Sequence, residues 1–184
     1  MISALIRTDR LELRAPVAED VRVIFDVYAS DPRITKYMDW RPSRHVSEVE
    51  RNFEIMQGNI QAGKCLSWIV RKLDEERLCG RVDLRLAVEE ADIGYVLAAS
   101  HWGQGIMPEA VSAVLDVGRS IGLRRVTGTC DPENRASARV FEKCGFRHVG
   151  TQKDALLRPA LSDKPRDSEC YEILLNDEPA RRPE

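Results

Sequence analysis

The sequence has no surplus of positive charge: 28 Lys and Arg stand against 30 Asp and Glu, for a formal net charge of −2. Sequence-independent binding to nucleic acid depends on neutralising phosphates, so that function class finds no support here. Long apolar runs are missing too. No stretch approaches a membrane span of about 20 residues, and the opening "MISALIRTDR" lacks the apolar core of a signal peptide. The five cysteines, at 65, 79, 130, 144 and 170, follow neither a metal-ligand spacing nor an even-numbered disulfide framework. Such scatter reads as reduced thiols in a cytoplasmic protein. His45, His101 and His148 are dispersed, and no metal site is expected. Internal repeats and low-complexity blocks are absent. What remains is the composition of an ordinary globular protein, 43% hydrophobic and 32% charged over 184 residues. We expect one domain, with its core over 7–175 and a polar tail at 176–184.

Periodicity supplies the elements. "RLELRAP" alternates apolar and charged residues as a strand does and stops at Pro16. Val21, Ile24, Phe25 and Tyr28 recur at helical spacing, as do Val46, Val49, Phe53, Met56 and Ile60, the latter closed by Gly63. "LSWIV", "LCGRVDLRL" and "DIGYVLA" are β-type runs with little between them, which predicts an antiparallel meander. A helix over 108–120, a strand at "RRVTGTC", a helix in "NRASARVFEKCGF" and strands at "RHVGTQ" and "CYEILL" complete the order, the last two separated by a loop at 155–168. The order is β-α-α-β-β-β-α-β-α-β-β. It describes an α/β domain with a mixed, mostly antiparallel sheet of about seven strands and about four helices.

Within this order, "HWGQGIMPEAV" (101–111) sets two glycines at the mouth of a helix. Gly103 and Gly105 solve a tight turn, or they let a phosphate approach the main-chain amides of a helix N-terminus. A dinucleotide fingerprint needs a third glycine after a first strand, and a P-loop needs its lysine. Both are missing.

"IGYVLAASHWGQGIMPEA", followed about thirty residues later by "CDPENRASARVFEKCGF", resembles the two signature regions of the GNAT superfamily of acyl-CoA-dependent N-acetyltransferases. "RTDRLELRAPVAED" and the W-G-x-G-x-x-x-E-A pattern are similar to its RimJ/RimL branch, over residues 7–175. The resemblance implies a sheet with a splayed central pair and acetyl-CoA as donor. It implies that the turn Trp102, Gly103, Gln104, Gly105, Ile106 and Met107 binds the coenzyme pyrophosphate through amides. Met107 departs from the family's Gly or Ala, and its side chain is expected to narrow the entrance. Pantetheine is expected along Val96, Leu97 and Ala98, with Asn134 and Ser137 at its arm. Asn134 also fits a helix N-cap, and the two roles are compatible.

Many members carry a tyrosine that protonates the leaving thiolate. Phe141 stands there and has no proton to give, which leaves Ser137, water or an unassisted thiolate. Direct attack needs a neutral amine and therefore a base. Asp92 is the leading carboxylate, Asp83 and Glu169 trail it, and Glu109 is set aside as a first-turn acid. Tyr37, Trp40 and Arg166 are the expected acceptor-site residues.

The leading reading is an acetyl-CoA-dependent N-acetyltransferase acting on a primary amine, either a protein N-terminus or a small aminoacyl or antibiotic-type compound. A non-catalytic acyl-CoA-binding module is the alternative, favoured by Met107 and Phe141. An RNA- or ribosome-associated factor draws little from the charge. The partner implied is the amine acceptor, with neither nucleic acid nor membrane, and a homodimer is compatible with all of this.

Overall fold

Leu11 and Leu13 alternate with charged neighbours and are both fully buried, so the opening alternation forms a strand as its period requires. The computed structural model describes residues 5–175; the polar tail expected at 176–184 lies outside them. A two-residue strand β1 (Ile6–Arg7) pairs antiparallel with β2 (Leu11–Arg14). Helix α1 (Asp20–Ile24) runs on into a π-helical turn, Phe25–Ala29, and a one-turn helix α2 (Pro32–Thr35) follows. The Asp31 carboxylate caps α2, accepting the Arg33 amide at 2.8 Å, and Pro32 sits at its first position. Helix α3 (Val46–Gln61) ends as expected: Gly63 takes φ +69°, and Lys64 N–H reaches back to the Asn59 carbonyl at 2.9 Å.

Strands β3 (Cys65–Lys72), β4 (Leu78–Leu86) and β5 (Glu90–Leu97) form the antiparallel meander. Helix α4 (Ile106–Ser120), β6 (Arg125–Cys130), α5 (Arg135–Lys143), β7 (Arg147–Leu157) and β8 (Pro165–Leu174) complete the described chain. All the strands join one sheet, in the order β1-β2-β3-β4-β5-β6-β8-β7. The described residues thus form a sheet of eight strands with five α-helices, against the expected seven and four. β1 and α2 are the additions, each too short to carry a readable period. The 155–168 loop shrinks to 158–164 because β7 and β8 run further than expected. β7 is an edge strand exposed along most of its length, so no apolar alternation announces it.

Neighbouring residues on a strand face opposite ways, and the two cores follow from that. Trp68, Val70, Ile93, Val111, Val114, Leu115 and Phe141 pack with α4 and α5 on one face. Ile69 and Val96 pack with Val21, Ile24, Tyr28 and Val49 of α1 and α3 on the other. Each such side chain, fully buried, contributes about 1.5–3 kcal/mol.

One neighbouring pair is parallel. β5 and β6 match only at Glu90–Arg125, Ala91–Val126 and Asp92–Thr127. Beyond Asp92, β5 stays with β4 as far as Leu97, and β6 stays with β8 as far as Cys130. The sheet therefore opens into a V between β5 and β6.

Candidate active site

The glycine turn lies at the mouth of the V. Gly103 and Gly105 adopt φ of +77° and +75°, a region that side chains enter only with strain. Gly105 is the N-cap of α4 and brings no capping side chain, so the first amides of the helix keep their donors for a ligand. Trp102, half exposed, donates its indole N–H to the Leu97 carbonyl at 3.0 Å, and Gln104 ties back to the Ser100 carbonyl at 2.9 Å. Ile106 and Met107 are 1% and 3% exposed and belong to the core under α4. The Met107 side chain thus points away from the entrance that it was expected to narrow. The second residue of a helix starting at Ile106 faces the sheet, and only its amide fronts the turn.

A residue that sequence reading missed braces this turn. Arg10, in the connection between β1 and β2, reaches Glu109 through Nε at 2.7 Å and the Gln104 carbonyl through Nη1 at 3.1 Å. A Cβ on Gly105 would lie 3.5 Å from Arg10 Nη2. Thr8 adds a hydroxyl bond to Glu109 at 2.5 Å. Burial works to raise the Glu109 pKa, but the bonds from Thr8 and Arg10 prevail and hold it below the usual carboxylate range. Sequence offers no local sign of a contact this distant; charge pairing across an expected fold was the one clue available.

Inside the V, Ala98 N–H bonds to the Cys79 carbonyl at 2.8 Å on the β4 side. Strand alternation then turns the Leu97 amide and carbonyl toward the gap. The Val96 and Ala98 side chains are buried, so this stretch offers main chain to the gap. On the opposite arm, Asn134 caps α5, its Oδ1 accepting the Ser137 amide at 3.2 Å. Ser137 Oγ lies 2.7 Å from the Tyr95 hydroxyl, and Tyr95 was not among the expected residues. Phe141 is 1% exposed and sits in an aromatic cluster, stacked on Tyr171 at 4.8 Å and tilted against Tyr95 at 5.5 Å. Its ring is seated by Gly128, where a Cβ would come within 2.6 Å of Phe141 Cζ. Asp92 is the last paired residue of β5 before the strands part. Its Oδ2 takes both Arg85 bonds, the Nε one at 2.8 Å, which leaves Oδ1 open among the described residues.

The three expected acceptor residues belong to two segments that meet. Arg41 pairs with Asp163 at 3.7 Å, bringing the stretch after α2 against the β7–β8 loop. Trp40 packs on the second core, and the Lys36 ammonium stands 4.8 Å over the Tyr37 ring. Arg166 is not free for a ligand. It binds Asp131 through Nε at 2.8 Å and Nη2 at 3.2 Å, and Glu133 at 2.8 Å. Arg158, 1% exposed and missed in the sequence, lies behind it with Nη2 on Ser168 Oγ at 2.9 Å and Nε 3.5 Å from Asp131. Burial alone would raise the Asp131 pKa, yet the Arg166 and Glu133 N–H bonds and the two guanidinium charges hold it low. Burial in turn pulls the Arg158 pKa down against the pull of Asp131. This cluster fastens the β7–β8 loop to the start of α5.

A parallel pair that parts over a glycine turn at a helix N-terminus is the geometry implied by the sequence resemblance. The sequence pattern of the acetyltransferase (GNAT) domain matches residues 10–147. The chain belongs to the GNAT acetyltransferase family. Over 174 residues, 91% of this chain, it is 34% identical to the uncharacterized N-acetyltransferase p20 of Bacillus licheniformis, of which 93% is covered. Two solved GNAT folds bracket the acceptor chemistry of similar proteins. RimL, the ribosomal L7/L12 alpha-N-protein acetyltransferase in complex with coenzyme A, superposes with a TM-score of 0.83 at 23% identity, covering 93% of this chain and 98% of that one. Spermidine N-acetyltransferase from Vibrio cholerae, in complex with CoA and spermine, gives 0.77 at 22% identity, covering 91% and 97%. This GNAT chain is an N-acetyltransferase. Among its described residues no helix is long and apolar enough to cross a membrane.

Proposed function

We propose that the chain moves an acetyl group from acetyl-CoA to a primary amine by direct attack within a ternary complex. The parting of β5 and β6 after Asp92, with left-handed glycines and uncapped amides at its mouth, carries this reading. In it, the amides of 103–107 hold the pyrophosphate, and Arg10 stands beside them as a cation. Pantetheine lies in the V against the Leu97 main chain, under Trp102, with Val96 and Ala98 shaping the strand and Asn134 and Ser137 on the far arm. Ser137 gives the departing thiolate a hydrogen bond, and Asp92 relieves the amine of its proton through Oδ1.

The acceptor enters between the 37–41 segment and the β7–β8 loop, where Tyr37 and Trp40 line its path. Arg166 serves this site indirectly, by holding the loop through Asp131 and Glu133. A cytoplasmic setting belongs to the same reading, since the donor is a cytoplasmic metabolite and the five cysteines are free thiols. The test is a mass-spectrometric screen with acetyl-CoA as donor and a panel of peptide N-termini, polyamines and aminoacyl compounds. Acetylated product on one amine class is expected. A chain that fails to bind coenzyme A in calorimetry would end this reading.

A further inference from the structure

Tyr95 rises from β5 and crosses the V to the first turn of α5. Its hydroxyl lies 2.7 Å from Ser137 Oγ and 3.1 Å from the Ser137 carbonyl, with its ring held against Phe141. A phenol has one proton, and a carbonyl only accepts. Two arrangements satisfy these oxygens. In the closed one the phenol donates to the carbonyl and the serine hydroxyl donates to the phenol oxygen, so nothing is left for a ligand. In the released one the phenol donates to Oγ, and the serine proton turns into the gap. The Cys130 sulfur is a second acceptor for that proton, since a hydrogen bond from the Ser137 hydroxyl works against burial to lower the Cys130 pKa, and the coenzyme sulfur competes with it.

We propose that Tyr95 is the positioning residue of Ser137, moving its proton from the closed to the released arrangement when the coenzyme sulfur arrives. The inference rests on the reading of Ser137 as the group that faces that sulfur. Burial holds the Tyr95 hydroxyl well above its ordinary pKa, so the phenol keeps its proton and acts as a standing donor. Tyr95 transfers no proton. The amine nitrogen forms the C–N bond and loses its proton to Asp92 or water, the C–S bond breaks, and the electron pair leaves on sulfur. Ser137 contributes a hydrogen bond to the thiolate, and Tyr95 keeps that hydrogen aimed.

Coenzyme A itself is the probe, which removes any dependence on the unknown acceptor. The full chain is loaded with coenzyme A, and its thiolate absorbance is titrated against a parallel sample holding desulfo-coenzyme A, which cancels the protein thiols. Ser137→Ala is expected to raise the bound thiol pKa by about half a unit to one unit. Tyr95→Phe should move it the same way, and the double variant no further than Ser137→Ala alone. Ser137→Thr, which keeps the hydroxyl, should titrate near wild type. A Tyr95→Phe protein that titrates like wild type while Ser137→Ala shifts overturns the role of Tyr95, as do two shifts that simply add. No shift in Ser137→Ala, with coenzyme bound, overturns the serine reading beneath it. Loss of coenzyme binding in wild type overturns the donor site and the inference together.

Discussion

The Arg10 guanidinium meets the Glu109 carboxylate at 2.5 Å, fastening the turn between the first two strands to the first turn of α4. The pair holds in place the loop whose amides front the V, because the same arginine also grips the Gln104 carbonyl. An acid set aside in the sequence as a helix-dipole charge is therefore the anchor of a second residue at the glycine turn.

Replacing that acid should cost stability in a pH-dependent way. The folded pKa of Glu109 is lowered, so its contribution is complete above the unfolded value near 4.5 and is lost as pH falls through the folded pKa. Glu109→Gln is expected to lower stability by about 0.5–1.5 kcal/mol at neutral pH, a discount for its partly exposed arginine included. Denaturant melts of both proteins across the acid range should converge. Parallel curves would mean that the charge contributes nothing.

At Gly105 two costs combine. A Val there must hold φ near +75°, a strain of about 1–3 kcal/mol, and its side chain also stands beside Arg10 and in the space given to phosphate. Gly105→Val should fold with a lower Tm and lose at least about tenfold in coenzyme A affinity by calorimetry. Unchanged affinity in the folded variant would remove the turn from the donor site.

The buried Asp131 should matter more than any surface pair. Asp131→Asn leaves Arg158 and Arg166 without their shared anion, and breaking a buried pair in this way costs about 3–5 kcal/mol. Because the folded pKa of Asp131 is lowered, the wild-type advantage is present above the unfolded value near 3.8 and fades as pH falls below it. Thermal melts at neutral and acid pH read both effects. A loss below about 1 kcal/mol at neutral pH would show that the guanidiniums find other partners.

Acceptor choice should answer to Trp40. Trp40→Ala is expected to raise the acceptor KM several-fold, or to redirect preference within the amine panel, while the acetyl-CoA KM stays within about twofold. Steady-state kinetics against each substrate in turn separates these. A change confined to the donor would move Trp40 out of the acceptor path.

Long, strongly periodic elements were legible in the sequence. The α3 stripe with Gly63 behind it and the β3–β5 meander stand where their patterns put them. The glycine turn was legible because left-handed φ leaves a mark in residue choice. Pairings between distant segments were not. Arg10 with Glu109, Tyr95 with Ser137 and Arg158 with Asp131 depend on how the sheet closes, and no local period encodes that. The exposed edge strand β7 was cut short for the opposite reason, since a strand with no buried face carries no alternation. Met107 misled because a motif position fixes its amide, whereas the helix face fixes its side chain.

Gly128 and Phe141 are a matched lock. The ring occupies the room that a side chain at 128 would need, its Cε1 and Cζ both lying where that Cβ would reach. A residue larger than glycine at 128 would evict the ring. The ring and the glycine therefore set the volume of that corner together, and a side chain at 128 is expected to be tolerated only where the residue at 141 shrinks with it.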